Sequence, residues 1–485
     1  MCVACLLRMR TPLLFLALSV LVSAAGCTDG SSHTIAPAPD AASEGPAPAV
    51  DAAVPPPPDA APLPGGVYRV AGLEDDLPAD DLAPFAAMVG NARVVALGES
   101  VHTSGGFSQA KFRLIRYLVE TLGFRTFAIE SPRTDAERTA AYVASCEGTP
   151  VDALAGLFGV WGNTSTRDML AWMCAWNAAH PADPIRFFGF DVQQPSQDYA
   201  AITAFLQRVA SAEATRLLGG LMPCALDPSL QSLPQERLAG CLAGLDAISS
   251  YLQEHEAAVL ATASAAELRW ARIALLGIRS WQDEAFFGQT DIKRGYASRD
   301  AAMAEVFLTT RELLYPNERI ILWAHNWHID RATDKAQSDL AGVRSMGTLL
   351  VASLGDAYQP FGLTAFQTEI NWPGVGCGAA GAPPTERSIE LLLHGLGAPY
   401  LLVDLQYAGA VPPLVVPGQR YELGIHDDRG PADVLVPGQS FRGLLFLEHS
   451  PKMMPVLYPD CAFCIQHPAR CKRVTGQRRI DPSRG

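Results

Sequence analysis

Five side chains able to move protons or bind charge occur in three short segments. Glu99 and His102 stand three residues apart in Leu97-Gly98-Glu99-Ser100-Val101-His102, Glu130 ends an apolar run, and His325 and His328 repeat the spacing in Trp323-Ala324-His325-Asn326-Trp327-His328. A carboxylate that orients an imidazole leaves the second ring nitrogen able to take a proton from water. Further His or cationic groups can stabilise the oxyanion that hydrolysis creates. The same types are ordinary zinc ligands, so a divalent metal at Glu99, His102, Glu130, His325 and His328 is the alternative. Metal-free hydrolysis is favoured, because the first motif lies on a strand-to-helix turn and neither H-E-x-x-H nor an Asp-rich metal loop occurs.

Other chemistries fit less well. The chain contains no G-x-S-x-G elbow, and Ser108-x-x-Lys111 lacks the S-D-N and K-T-G companions of S-x-x-K enzymes. Gly376-x-Gly378-x-x-Gly381 spells a dinucleotide fingerprint, but Ala382-Pro383-Pro384 follows where a helix should start, so a loop is expected. His180, His255, His394, His426, His449 and His467 have no acidic or His companions at strand ends and read as surface or core residues. The cluster Phe158, Trp161, Trp172 and Trp176 reads as core, with Trp161 able to wall an apolar substrate.

The elements that must position these groups alternate. β-Branched and aromatic runs predict strands over 93–97, 126–129, 186–190, 319–323, 361–366, 400–403 and 443–446. Helical periodicity marks 107–122, with Phe112, Ile115, Leu118, Val119 and Leu122 on one face, and also 135–144, 166–179 and 299–314. This order predicts an α/β fold with a partly parallel central sheet flanked by helices. Residues from about 197 to 287 carry helical periodicity with few strand signals and predict a helical insertion or cap. Each of the first four strands runs into a polar group: Glu99 and His102, Glu130, Asp191, then His325 and His328. Ligands of α/β sheets bind beyond the carboxyl ends of strands, so the four ends predict one site.

The N-terminus reads as an address. Arg8 and Arg10 precede an apolar run over 13–22 and then Ser23-Ala24-Ala25-Gly26-Cys27, which describes an export signal over 1–26 resembling a lipoprotein box with Cys27 acylated. Residues 28–66 contain 10 Ala and 10 Pro, the composition of an extended linker, so the globular domain is expected over 67–485. The expected location is the cell envelope, as an outer-membrane or periplasmic lipoprotein whose only membrane contact is the lipid. Eight Cys beyond Cys27 suit disulfides in an exported protein, with Cys224–Cys241 a local candidate, and Cys461-x-x-Cys464 reads as a bridge. A net charge of −13 gives nucleic acid no basic face to bind.

These segments resemble the erythromycin esterase family. Leu97 to His102 is similar to its GE-x-x-H block, Gly123-Phe124 through Glu130 to its GF…E segment, and Phe188-Gly189-Phe190-Asp191 to its GxD block. Ser298-Arg299-Asp300-Ala301-Ala302-Met303 resembles its RDxxM helix start, Trp323 to His328 its WAHNxH block, and Arg344-Ser345-Met346-Gly347 the MG turn that follows. The resemblance implies water-mediated cleavage of a macrolide lactone or another carboxylic ester, without a bound metal. It implies His102 as general base, Glu99 and Glu130 as supporting acids, His325 and His328 as later partners, and Lys111 and Arg299 as cationic residues; Asp191 and Trp161 are further expected to bind substrate. Thr103 stands where the family usually has Gly. A metal-dependent hydrolase using the same residues is one alternative. A non-catalytic envelope binding protein of the same fold is another, although it has no need of all five groups.

Overall fold

The computed structural model describes residues 63–225, 232–372, 376–380, 384–407, 419–424 and 433–456. The export segment, Cys27, most of the linker, Cys461, Cys464 and Cys471 lie outside the described residues. In chain order the strands are β1 (Val67–Arg69), β2 (Val94–Leu97), β3 (Thr126–Pro132), β4 (Arg186–Asp191), β5 (Ile320–Trp323), β6 (Tyr358–Trp372), β7 (Gly376–Ala380), β8 (Tyr400–Asp404), β9 (Tyr421–Leu423), β10 (Asp433–Leu435) and β11 (Gly443–Ser450). The main sheet runs β1-β8-β11-β6-β2-β5-β3-β4, with β7 paired to β6 and with β9 and β10 forming a separate ribbon. β11, β6, β2, β5, β3 and β4 are parallel, while β8 runs antiparallel to both β11 and β1. The fold is therefore α/β with a large, mostly parallel sheet.

Burial on both faces explains the continuous apolar strands. Val95 and Leu97 of β2 join one apolar layer with Phe112, Ile115 and Leu118 of the Gly105–Glu120 helix and Met173 of the Thr164–Ala179 helix. Val94 and Ala96 point the other way, toward Met303 and Phe307 of the Ile292–Leu314 helix and Leu350 of the Met346–Leu354 helix. Between β4 and β5 the helices Ser196–Val209, Ala214–Gly219, Gln235–Glu254, Glu256–Leu260 and Ala265–Thr290 build their own core from residues such as Ile202, Leu206, Leu245, Ile248, Leu275 and Ile278. The Cys224–Cys241 disulfide closes part of that bundle, and Cys146 pairs with Cys174. No described helix is long and apolar enough to cross a membrane.

One local expectation is corrected. Gly376–Ala380 is a strand, β7, antiparallel to the end of β6, and not a loop. A hairpin arm of this kind needs only backbone pairing, so a glycine-rich stretch can form it without the side-chain alternation that betrays other strands.

The turn from β2 into the Gly105–Glu120 helix passes through Thr103, a buried residue with φ +67°. A β-branched side chain in the left-handed region is strained, a cost that glycine would not carry. The Thr103 hydroxyl is also buried without a hydrogen-bond partner among the described residues. Thr103→Gly should therefore stabilise the fold by roughly 1 kcal/mol, the relief of strain exceeding the added chain entropy. A lower urea midpoint than wild type would contradict this.

Candidate active site

Four strand ends meet in register. Leu97 of β2 and Ile129 of β3 both pair with Trp323 of β5, and Ile129 pairs with Gly189 of β4. The residues that follow, Glu99, Glu130, Asp191 and His325, are thereby carried to one edge of the sheet. Gly98 permits the approach: a Cβ there would sit 2.0 Å from Asn326 Oδ1. That oxygen accepts the Leu363 N–H at 3.1 Å, while Asn326 Nδ2 donates to the Leu363 carbonyl at 2.9 Å.

The first unit centres on Glu99, a buried carboxylate shared by two partners. Its Oε1 lies 2.6 Å from His102 Nδ1 and its Oε2 lies 2.7 Å from Lys111 Nζ. Burial alone would raise the Glu99 carboxyl, but the Lys111 charge and the His102 hydrogen bond outweigh it and hold the carboxyl below its usual range. With Glu99 ionised, His102 carries its proton on Nδ1 and donates it, which leaves Nε2 as a free acceptor. No described residue hydrogen-bonds Nε2, and the His102 side chain keeps 21% of its surface open. Its ring lies edge-on to Trp161 at 5.0 Å and to His325 at 5.2 Å between centroids.

Lys111 and Trp161 sit behind this unit and offer no surface to a substrate. Lys111 is fully buried, its ammonium 4.2 Å from the Trp323 ring centroid, and burial pulls its pKa down to about 8 against the attraction of Glu99. Trp161 is buried and donates its indole N–H to the Glu130 carbonyl at 2.7 Å.

The second unit centres on Arg299. Its Nη2 contacts Glu130 Oε1 at 2.9 Å and Asp191 Oδ2 at 2.5 Å, and its Nη1 lies 3.3 Å from His328 Nε2. Asp191 also accepts the Val192 and Gln193 backbone N–H groups, and Glu130 Oε2 accepts the His325 N–H at 2.8 Å. Burial opposes ionisation of Glu130, but His328, His102, Arg299 and the backbone donor hold its carboxyl down at about 2. His328 Nδ1 bonds Asp300 at 2.8 Å. Burial disfavours the charged ring, yet Asp300 and Glu130 raise its pKa overall.

His325 differs from its neighbour. Its Nε2 donates to the Ser100 carbonyl at 2.9 Å and its Nδ1 accepts the Trp327 N–H at 3.2 Å, so both nitrogens are occupied. Burial and the neighbouring His102 and His328 push it down to about 3, which makes it a neutral brace.

These commitments bear on the metal alternative. Glu99, Glu130 and Asp191 each spend an oxygen on a cationic side chain, and His325 has no lone pair to spare. Among the described residues no three His, Cys, Asp or Glu side chains converge on a position suited to a metal ion.

Three residues not singled out in the sequence join the site. Asp300 follows Arg299 inside the quoted RD pair, so a signal was present. Glu284, on the Ala265–Thr290 helix, accepts Gln193 Nε2 at 2.7 Å and lies 3.9 Å from Arg299 Nε. Nothing in their local sequence marks Glu284 or Gln193. An open groove of about 500 Å³ lined by Arg133, Glu137, Phe205, Arg208 and Trp270 lies outside this cluster, and none of the strand-end acids or histidines faces it.

Comparison with known proteins bears on the family and the fold. The sequence pattern of the erythromycin esterase family matches residues 119–447. That span includes Glu130, Asp191, Arg299, His325 and His328 but begins after Glu99, His102 and Lys111. A putative hydrolase YbfO of Bacillus subtilis is 21% identical over 345 residues, 67% of this chain and 76% of that protein. Erythromycin esterase type II of Escherichia coli is 23% identical over 353 residues, 66% of this chain and 82% of that protein. Among solved structures, a Bacillus cereus protein aligns with TM-score 0.68 at 21% identity, over 81% of this chain and 97% of that one. A mutant of erythromycin esterase EreC in its open conformation aligns with TM-score 0.63 at 18% identity, over 81% of this chain and 99% of that one.

The Lys111–Glu99 pair makes a signed prediction. In the wild type the Glu99 carboxyl is depressed, so its contribution to stability is present above about pH 4.5 and is lost as pH falls through its folded value. Lys111→Met removes the largest attraction opposing burial and leaves His102 alone against it, so the carboxyl is expected to move up. The variant should then lose stability as pH rises from 4.5 toward neutrality, reaching a deficit of about 3–5 kcal/mol for a broken buried pair. Urea unfolding at pH 5 and pH 7.5 checks it; an equal deficit at both would remove the pairing role.

Proposed function

The chain belongs to the erythromycin esterase family, a family with hydrolase members, and from that premise we propose that it hydrolyses a carboxylic ester or macrolide lactone with water activated by His102. The observation that carries this reading is the Glu99–His102 contact at 2.6 Å, which fixes the ring tautomer and leaves Nε2 free on the open side of the cluster. A water on Nε2 gives up its proton as it attacks the ester carbonyl, and the imidazolium returns that proton to the departing alcohol oxygen. Glu99 and Lys111 hold the ring. Arg299 and His328 supply positive charge to the oxyanion, while Glu130, Asp191 and Asp300 hold those two groups in place. His325 braces His102. No step needs a metal or an organic cofactor.

At the envelope, Cys27 is proposed to carry the lipid and residues 28–66 to hold the domain off the membrane surface, a reading that rests on the Ala-Ala-Gly-Cys27 box and on linker composition. Cys27→Ser should move the protein from the membrane fraction to the soluble fraction; unchanged partitioning removes the anchor.

His102→Gln keeps the bulk of the side chain and removes the base. Across a panel of macrolides and simple esters it should lower kcat by roughly 10²-fold or more, with little loss of folding stability because the Gln amide can still donate to Glu99. Wild-type activity should persist in excess chelator. A near-normal kcat in the variant removes His102 as base, and chelator-killed activity restored by zinc promotes the metal reading.

A further inference from the structure

The turn that leads from His102 into its helix is fastened by the segment after β11. Ser104 stands immediately before the Gly105–Glu120 helix, where a serine ordinarily turns its oxygen to the free N–H groups of the first turn. Here it makes no such cap. Its Oγ lies instead 2.6 Å from Ser450 Oγ, 3.2 Å from the Ser450 carbonyl oxygen and 3.3 Å from that of Pro451. The backbone on either side follows suit. The Gly105 N–H donates to the Pro451 carbonyl at 2.6 Å, and the Met453 N–H donates to the Thr103 carbonyl at 3.2 Å. Three consecutive residues after His102 are thus bonded to residues 450–453.

The fit is close and dry. Ser104, Ser450 and Met453 are all buried. A Cβ on Gly105 would sit 2.9 Å from the Lys452 carbonyl oxygen, and one on Gly106 would sit 2.6 Å from Ser450 Oγ. The strap then crosses to a second turn, where the Thr164 N–H donates to the Met454 carbonyl at 2.9 Å and the Val456 N–H to the Gly162 carbonyl at 2.7 Å. That turn follows Trp161, whose ring His102 meets edge-on. Asn371, buried near the end of β6, donates Nδ2 to the Met453 carbonyl at 2.6 Å and ties the middle of the strap to the sheet. Residues 103–105 and 451–456 both lie outside the span 119–447 that matches the family pattern.

Thr103, with its positive φ, stands between the strap and His102. Such a residue keeps its conformation only where the surroundings over-determine it. The bonds at the Thr103 carbonyl, the Ser104 hydroxyl and the Gly105 N–H supply that constraint. Once they are released, Thr103 can relax to negative φ, which turns the preceding peptide and carries the imidazole away from Glu99. We propose that Ser104 is a positioning residue for His102, acting with the strap over 451–456 to keep Nδ1 on Glu99 and Nε2 toward the open side of the cluster. This rests on the ester-hydrolase reading above and deepens it. Ser104 itself touches no reacting atom; it acts through the turn.

The test observes His102 directly in the full-length protein. Its Nδ1–H, donated to a buried carboxylate, should give a downfield proton NMR resonance in histidine-labelled protein, identified by its loss in His102→Gln. Ser104→Ala should broaden or abolish this resonance and lower kcat roughly tenfold or more at unchanged KM. Ser104→Thr, which keeps the hydroxyl, should retain both. Thr103→Gly in the Ser104→Ala background should restore both in part, because glycine holds positive φ without strain. A merely structural defect would not be cured by a second, loosening substitution. If Ser104→Ala fails to melt like the wild type, Asn371→Ala, which frees the Met453 carbonyl, is read in the same way and decides. An unchanged resonance and kcat, a lower kcat with the resonance intact, or a rise in KM alone overturns the proposal. A wild type that lacks the resonance removes the Glu99–His102 contact and the proposal with it. A Ser104-dependent resonance in a protein that cleaves no ester overturns the hydrolase reading and leaves the positioning role standing.

Discussion

A single buried carboxylate bears most of the organisation of the site. Glu99 has no access to water, so its charge survives only because Lys111 and His102 approach its two oxygens from opposite sides. An isolated carboxylate in that position would take up a proton and stop ordering the imidazole. The surroundings follow from that requirement. The Gly105–Glu120 helix must present Lys111 inward, and Trp161 and Trp323 must supply ring faces to an ammonium that has left water. Gly98 must lack a side chain so that the strand end can pass Asn326.

The second cluster solves the same problem with a network. Arg299 joins the ends of β3 and β4 through Glu130 and Asp191, and Asp300, one residue on, reaches His328. Asp300 Oδ1 also accepts the Met346 N–H at 2.7 Å, which brings the start of the following helix into the same web. There Gly347 packs so closely that a Cβ would lie 2.3 Å from the Ile329 carbonyl. Planar, multidentate guanidinium geometry suits this junction better than an ammonium would. Lys111, which serves mainly one carboxylate, can be a point charge.

The strands and their polar ends were legible because buried parallel strands are continuous apolar runs, and a titratable residue immediately after one stands out. Glu99, His102, Glu130, Asp191, His325 and His328 belong to that class. Direction was not legible. Lys111 sits on a helix whose apolar face was read correctly, yet whether its ammonium met solvent or Glu99 depended on how that helix docks. Trp161 was read as core that could also wall an apolar substrate, and it is core, backing the site with its N–H on the Glu130 carbonyl. Glu284 and Gln193 lie more than 90 residues apart and acquire meaning only when the inserted helices fold back. β7 escaped notice because glycine carries no alternation to read.

The inserted bundle has its own apolar core and its own disulfide, and it contributes Glu284 to a site otherwise built from the sheet ends and the Ile292–Leu314 helix. Lesions in that core loosen one acid while leaving the Lys111–Glu99–His102 chain on the sheet intact. Divergence in the bundle can thus shift Glu284 without disturbing the Lys111–Glu99–His102 chain, since the two rest on separate cores.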